Sequence, residues 1–216
     1  MSWQERAGEH CEKVHEHVVE QPRDLGQRPE GTRADEIRVK IQGAIVWVAM
    51  AIQVPTRLWL GGEISTSRDT ALITALMQKV RACALCRPLL FCMDGCQAYI
   101  GAICTVFREA VRTGKAGRPH LRPWDGIFMA QVIKQYVRKQ VVDVRRHVVQ
   151  GTMEQVQALV KQTQGSGTIN TAYIERLNAT FRARIFALVR RGRALARQMP
   201  TLHTSMYLVG TVYNFC

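Results

Sequence analysis

The stretch ADEIRVKIQGAIVWVAMAIQVPTRLWLGGEIS, residues 34–65, decides the fold. Its first part places Asp35 and three apolar residues at two-residue spacing, which predicts a strand with one apolar face. After Gly43, the run AIVWVAMAIQV is apolar on both faces and predicts a strand in the middle of a sheet. Pro55 then opens a short turn into a third strand, LWLGGEIS. Three successive strands joined by short turns predict an antiparallel meander.

The spacing of apolar residues changes after this meander. Residues 68–86 carry them at helical spacing, and Ser67 is the predicted N-cap. The sequence PLLFCMDG predicts a short buried strand that ends at Asp94. Residues 96–112 predict a second helix, and a basic loop is predicted to follow over residues 112–126.

The second half of the chain predicts two strands and then helices. The strands are predicted over residues 127–136 and 141–149, and a helix over residues 153–164. A long helical region over residues 169–198 is interrupted at Gly192. The order β-β-β-α-β-α-β followed by helices is typical of the RNase H-like fold. We therefore expect an α/β protein with a mixed five-stranded sheet, flanking helices, an inserted basic β-hairpin or helix, and a helical C-terminus.

Three parts of the chain can be distinguished by composition. Residues 1–20 predict a short helix, and the Pro- and Gly-rich residues 21–34 predict a linker. We therefore divide the chain into an N-terminal helix and linker at 1–30, an α/β core at 31–198, and a C-terminal helical segment at 199–216.

The charge of the chain restricts its partners. The 216 residues have a formal net charge of +13, which favours a polyanionic partner, nucleic acid first and an acidic membrane surface second. A ribosome-associated or merely basic protein remains an alternative. The most apolar run, residues 44–52, is about half the length that a bilayer requires, so no membrane span is expected. The polar N-terminus and the odd number of cysteines, seven, predict a cytoplasmic protein with reduced thiols.

Three acidic residues stand in settings that suggest chemistry. Asp35 shares a strand face with core residues, where an acid is costly unless it is paired or binds a metal. Asp94 ends a strand, where ligand-binding groups collect in α/β sheets. Glu175 lies in the helical sequence AYIERLNATFR, with Asn178 and Arg182 within about 60° of it around the helix. Each acid alone could be an ordinary surface, turn or helix residue, but the three together favour catalysis.

Three converging carboxylates suit phosphodiester chemistry. Cleaving DNA and joining a 3′-hydroxyl to another phosphate is an in-line displacement, which two divalent ions can assist. Hard cations require oxygen ligands, so Mg²⁺ (or Mn²⁺) is the expected cofactor. Glu36 is adjacent to Asp35 and could substitute or assist, although its side chain is predicted to point to the opposite face of the strand.

The motifs ADEIRVK, LLFCMDGCQAY and AYIERLNATFR resemble those of DDE-type transposases from bacterial insertion sequences. In that family a DE pair opens the first strand, a DG pair marks the second Asp, and an ER-x-N-x-x-x-R helix supplies the Glu. The resemblance covers roughly residues 30 to 215. It implies that Asp35, Asp94 and Glu175 are the catalytic metal ligands. It also implies that Asn178 and Arg182 orient the Glu or contact DNA.

The resemblance implies DNA as the partner, both transposon ends and target, and a homodimer or higher oligomer in the active state. Basic residues crowd the final helices and the loop before the paired strands, and few acids balance them, which favours phosphate contacts over a merely solvated face. We expect the protein to be nucleoid-associated. The basic residues that we expect to bind DNA are Arg182, Arg184, Arg190, Arg191, Lys115 and Arg118.

Other features leave alternatives open. Trp124 could stack on a base or anchor its loop. The Cys83/Cys86 pair has zinc-like spacing but no second pair follows it. Few residues precede the first strand, so we expect a transposase truncated at one or both ends, with residues 1–30 a possible remnant of a DNA-recognition module. The rival functions are an RNase H-like nuclease without strand transfer and an inactive DNA-binding transposon remnant.

Overall fold

The computed structural model describes residues 30–41, 44–84, 87–111, 118–138, 140–164, 168–188 and 198–216. The strands are β1 Glu30–Ile41, β2 Ala44–Gln53, β3 Trp59–Ser65, β4 Leu89–Asp94, β5 Arg108–Val111, β6 His120–Pro123, β7 Ile127–Val137 and β8 Gln140–Gln150. The helices are α1 Thr70–Cys83, α2 Gln97–Val106, α3 Met153–Gln164, α4 Ala172–Arg184 and α5 Met199–Phe215, with a 3₁₀ turn at Phe186–Leu188.

Six strands form one mixed sheet in the order β3-β2-β1-β4-β7-β8. The predicted meander is confirmed, because β2 pairs antiparallel with both β1 and β3. Strands β1, β4 and β7 are mutually parallel, and β8 returns antiparallel to β7. The predicted number of five strands is wrong, since the hairpin partner β8 adds a sixth strand at the edge. Strands β5 and β6 form a separate two-stranded sheet.

Helices cover both faces of the six-stranded sheet. Helices α1 and α2 enclose one core, in which Leu76, Phe91 and Tyr99 are buried. On the other face, α4 and α5 cover the meander with Phe181 and Tyr207. Helix α3 packs on β4 and β7 through its own apolar cluster. None of the helices that the structure describes has the length and apolar character that crossing a membrane would require.

The predicted linker over residues 21–34 is wrong at its end, because β1 already begins at Glu30. The prediction failed there because the side chain of Arg33 is fully buried, with its hydrogen-bond donors paired inside the fold. Its guanidinium donates to the backbone oxygens of Asn170 (2.9 Å) and Thr32 (3.1 Å) and to Oε1 of Gln164 (3.2 Å). Burial lowers the pKa of this guanidinium. A charged residue in a Pro- and Gly-rich context therefore concealed a core strand.

The helix boundaries differ from the predictions in two places. The N-cap of α1 is Asp69 rather than Ser67, and its Oδ1 accepts from the Leu72 N–H at 3.0 Å. The helix predicted over residues 96–112 ends at Val106 instead. The following residues pair with β6, so part of the predicted basic loop is a hairpin. Phe107 begins this insertion and packs edge-on against Trp124, with ring centroids 5.3 Å apart.

The helices and strands of the second half follow the prediction more closely. The predicted pair of strands, the helix over residues 153–164 and the C-terminal helix are confirmed. The helical region predicted over residues 169–198, with its interruption at Gly192, is wrong in its bounds, because α4 begins at Ala172 and ends at Arg184, before a 3₁₀ turn. Gly192, the predicted N-terminal segment and Cys86 lie outside the described residues.

Candidate active site

Asp35 and Asp94 lie side by side on neighbouring parallel strands. The last paired residues of β1 and β4 are Ala34 and Met93, and the two aspartates follow them directly. Parallel pairing therefore aligns two acids that are 59 positions apart in the sequence (94 − 35). Oxygens of Asp35, Asp94 and Glu36 all lie within 4.8 Å of one another. Three acids at this spacing can share one cation.

Glu175 joins the same site from the helical layer. It lies in the first turn of α4 and lines a cavity of about 450 Å³ together with Asp35 and Asp94. Its carboxylate accepts a hydrogen bond from Thr171 Oγ1 (2.7 Å) and forms an ion pair with Lys134 Nζ. The structure thus brings all three predicted catalytic residues to one cavity. Glu175 is held on the side of the cavity where Lys134 lies.

Asn178 contacts the first aspartate rather than the glutamate. Its side chain is only 2% exposed, and its Nδ2 donates to Asp35 Oδ2 at 2.9 Å. The backbone N–H of Glu36 donates to the other oxygen, Asp35 Oδ1, at 2.8 Å. Both oxygens of Asp35 are therefore oriented from within the fold. A buried amide in this position supports the carboxylate of Asp35.

The surroundings shift the pKa values of the carboxylates in different directions. Burial and, less strongly, the charges of Asp94, Glu36 and Glu175 raise the pKa of Asp35 to about 6, although the hydrogen bond from the Glu36 N–H lowers it. Burial also raises the pKa of Glu36. For Glu175 burial acts upward too, but the bonds from Lys134 and Thr171 outweigh it, so its pKa is lowered. A bound cation would offset the burial that raises the pKa of Asp35 and Glu36.

Two cations also line the cavity, and sequence reasoning assigned neither of them to the site. Arg68, just before α1, donates to Glu36 Oε2 at 2.8 Å and approaches Asp94 Oδ2 at 3.6 Å. Lys134 of β7 reaches Glu175 from the opposite side. The only sequence signal for Lys134 was that it lies two residues after Val132, and therefore on the same face of a strand that runs parallel to β4. Nothing near Arg68 in the sequence marks it.

The residues of the site fit a divalent cation of the hard class. All candidate ligands are carboxylate oxygens, the donors that Mg²⁺ and Mn²⁺ prefer. The Glu36 side chain is only 1% exposed, and its carboxylate lies against Arg68 and the hydroxyl of Tyr99. Among the described acids, Asp35, Glu36 and Asp94 have oxygens close enough together to share one ion, and Glu175 lines the same cavity without belonging to that group.

The predicted DNA-binding arginines are only partly described. Arg184 and Arg118 are exposed, which suits a contact with DNA, whereas Arg182 is half-buried. Lys115, Arg190 and Arg191 lie outside the described residues. Trp124 packs beside Phe107 with the guanidinium of Arg87 4.3 Å from its ring, so the indole anchors its loop.

Comparison with known proteins gives similar solved structures, of which two are described here, and no family. No protein-family model matches the sequence, and no curated protein does. A chain of the simian T-cell lymphotropic virus intasome, in complex with the PP2A regulatory subunit B56 gamma, is 9% identical with a TM-score of 0.43 over 83% of this chain and 48% of that chain. Endonuclease V from Bacillus subtilis is 10% identical with a TM-score of 0.24 over 60% and 57% of the two chains. This chain spans about half the length of each of these solved chains.

Proposed function

We propose that this chain is the RNase H-like catalytic core of a DDE-type transposase, which cleaves DNA strands and joins them with divalent metal ions. The observation that carries the proposal is the convergence of Asp35, Asp94 and Glu175 on one cavity from β1, β4 and α4. The order of strands and helices agrees with the RNase H-like pattern through β7, apart from the small inserted hairpin. The three motifs that carry the family resemblance are thus the three segments that meet.

The chain's own residues prepare this site for a phosphodiester. Asn178 and the Glu36 N–H fix the orientation of Asp35, so the carboxylate needs little rearrangement on binding. Arg68 and Lys134 line the cavity on its two sides and can each bind a phosphate oxygen. Bound Mg²⁺ or Mn²⁺ would supply activation of the attacking oxygen and stabilisation of the leaving oxygen.

Cleavage of supercoiled plasmid DNA by the purified chain tests this function. We expect nicking that requires Mg²⁺ or Mn²⁺ and is abolished in Asp94→Asn, which is nearly isosteric but lacks the charge that binds the cation. Asp125→Asn is the matched control, because Asp125 is exposed, pairs only with Arg122 among the described residues, and lies outside the cavity. Equal nicking by wild type and Asp94→Asn would contradict the assignment. No nicking by the wild type, with DNA binding retained, would favour the inactive remnant.

A further inference from the structure

Tyr136 presents an exposed aromatic ring at the wall of the carboxylate cavity. The residue lies near the end of β7, lines the cavity with Asp35 and Glu175, and is 61% exposed. Among the described residues, no ring or cation is found stacked on it. Tyr99 and Tyr207, by contrast, are fully buried. An exposed ring in a polar cavity indicates a surface that receives a ligand.

The strand that faces Tyr136 across the hairpin carries a bulge. Gln135 pairs with Asp143 and Tyr136 pairs with Val141, so the extra residue is Val142 of β8, and Tyr136 keeps the regular alternation of β7. Bulges of this kind increase the local twist of a hairpin and occur often beside active sites. The turn that follows contains Arg138 with a φ of 48°, which closes the hairpin tightly.

Lys134 gives the ring a charged neighbour on the same strand. The two residues are two positions apart, about 7 Å along the strand, and both line the cavity. The amine of Lys134 forms an ion pair with Glu175 on the same wall of the cavity. A cation beside an exposed ring matches the two parts of a nucleotide, its phosphate and its base.

We propose that Tyr136 stacks on an unpaired base next to the reacting phosphate, so that the site takes a DNA end whose terminal bases are open. This inference rests on the proposed function and names its substrate more closely. In intact duplex DNA both faces of each internal base are covered by neighbouring base pairs. A side chain on the cavity wall can cover a base only after that base has left the stack. Tyr136 is therefore a substrate-positioning residue.

Binding of DNA with an unpaired end tests this role without any cleavage. The probe is a short duplex with a three-nucleotide overhang that carries 2-aminopurine, prepared with 3′ and 5′ overhangs in parallel and measured without divalent metal. We expect the wild type to quench the probe and to bind it more tightly than the blunt duplex. Tyr136→Ala should weaken overhang binding by roughly 5- to 150-fold, the usual range for loss of one stacked base. Blunt-duplex binding should change by less than about twofold, because no base is open there.

Two variants separate stacking from mere apolar contact. Tyr136→Phe keeps the ring and should retain quenching, whereas Tyr136→Leu keeps the apolar area and should lose it. Phe186→Ala is the matched control, since its ring is 76% exposed but lies outside the cavity. Unchanged overhang binding in Tyr136→Ala, or an equal loss in Phe186→Ala, would overturn the proposal. Plasmid nicking is measured in a separate assay. If the wild type nicks DNA but Tyr136→Ala binds the overhang as the wild type does, only this inference is rejected. If Tyr136 is needed for overhang binding but the wild type does not nick DNA, only the catalytic function is rejected.

Discussion

The amide of Asn178 donates to the carboxylate of Asp35 at 2.9 Å across 143 positions of the sequence, so helix α4 fixes the acid of the first strand. The same helix carries Glu175 one turn earlier, on the cavity side. One helix therefore supplies one acid of the site and orients another. The family resemblance implied that Asn178 supports the Glu or contacts DNA, and the structure assigns its contact to Asp35.

Removal of this contact should affect both stability and metal binding. In Asn178→Ala the buried oxygen of Asp35 loses its donor, which we expect to lower the free energy of unfolding by about 1–3 kcal/mol. Urea denaturation measures this change, and calorimetric titration with Mn²⁺ should show weaker binding. Thr180→Ala is the control on the same helix, because its hydroxyl donates to the Arg176 carbonyl in α4 itself and, among the described residues, to no other group. Mn²⁺ affinity that is equal in the two variants would show that Asn178 does not position Asp35.

The pKa of Asp35 should make stability depend on pH when metal is absent. Its folded pKa of about 6 lies above the ordinary value of 3.8, so the folded state holds the proton more tightly than the unfolded state. The contribution of Asp35 to stability is therefore fully present below about pH 4 and is lost as the pH rises from about 4 to 6, by at most about 3 kcal/mol. Asp35→Asn lacks this titration. We expect its free energy of unfolding, measured in EDTA, to exceed that of the wild type increasingly between pH 4 and 6.5; a constant difference over that range would contradict the prediction.

Lys134 should compete with metal ions for Glu175. The ammonium group pairs with this carboxylate on the cavity side, where a ligand to metal would also lie. Replacement by the uncharged Lys134→Met should therefore tighten Mn²⁺ binding by a few-fold and weaken DNA binding, since one phosphate contact is lost. Arg145→Met removes a cation of the same hairpin that pairs with Asp143 instead. Mn²⁺ binding that is tightened equally in both variants would point to net charge rather than to this pair.

The exposed arginines should bind DNA without sequence preference. Neutralising phosphates releases counterions, so affinity should fall steeply with salt. Removal of one phosphate contact, as in Arg184→Ala, should lower the slope of log affinity against log salt by about 1. Fluorescence anisotropy between low and physiological salt measures this slope for wild type and variant. An affinity that does not change with salt would contradict the predicted role of these residues.

Sequence reasoning predicted the framework of the site because its signals are local. Alternation predicted β1, continuous apolar runs predicted β2 and β4, and the end of a strand marked Asp94. The acids Asp35 and Asp94 were expected together, and parallel pairing of their strands aligns them. These features follow from periodicity and connection alone.

The remainder depends on contacts between distant segments, which carry no local pattern. Arg33 is buried because residues of the α3–α4 region accept hydrogen bonds from its guanidinium. The composition of residues 21–34 does not reveal these distant partners and therefore suggested a linker. Arg68 and Lys134 belong to the site only because their segments pack around the cavity. The sixth strand was missed for a similar reason, since a predicted hairpin does not reveal whether its outer strand extends the sheet.

Strand transfer tests the central claim most directly, because joining separates a transposase from a nuclease that only hydrolyses. A labelled duplex with a pre-cut 3′-hydroxyl end is incubated with plasmid DNA, Mn²⁺ and the purified chain, and joined products are counted by gel electrophoresis. The account predicts a metal-dependent joined product with the wild type and none with Glu175→Gln, which keeps the shape of the side chain but not its charge. Cleavage of the plasmid with no joined product, or a joined product that persists in Glu175→Gln, would contradict it.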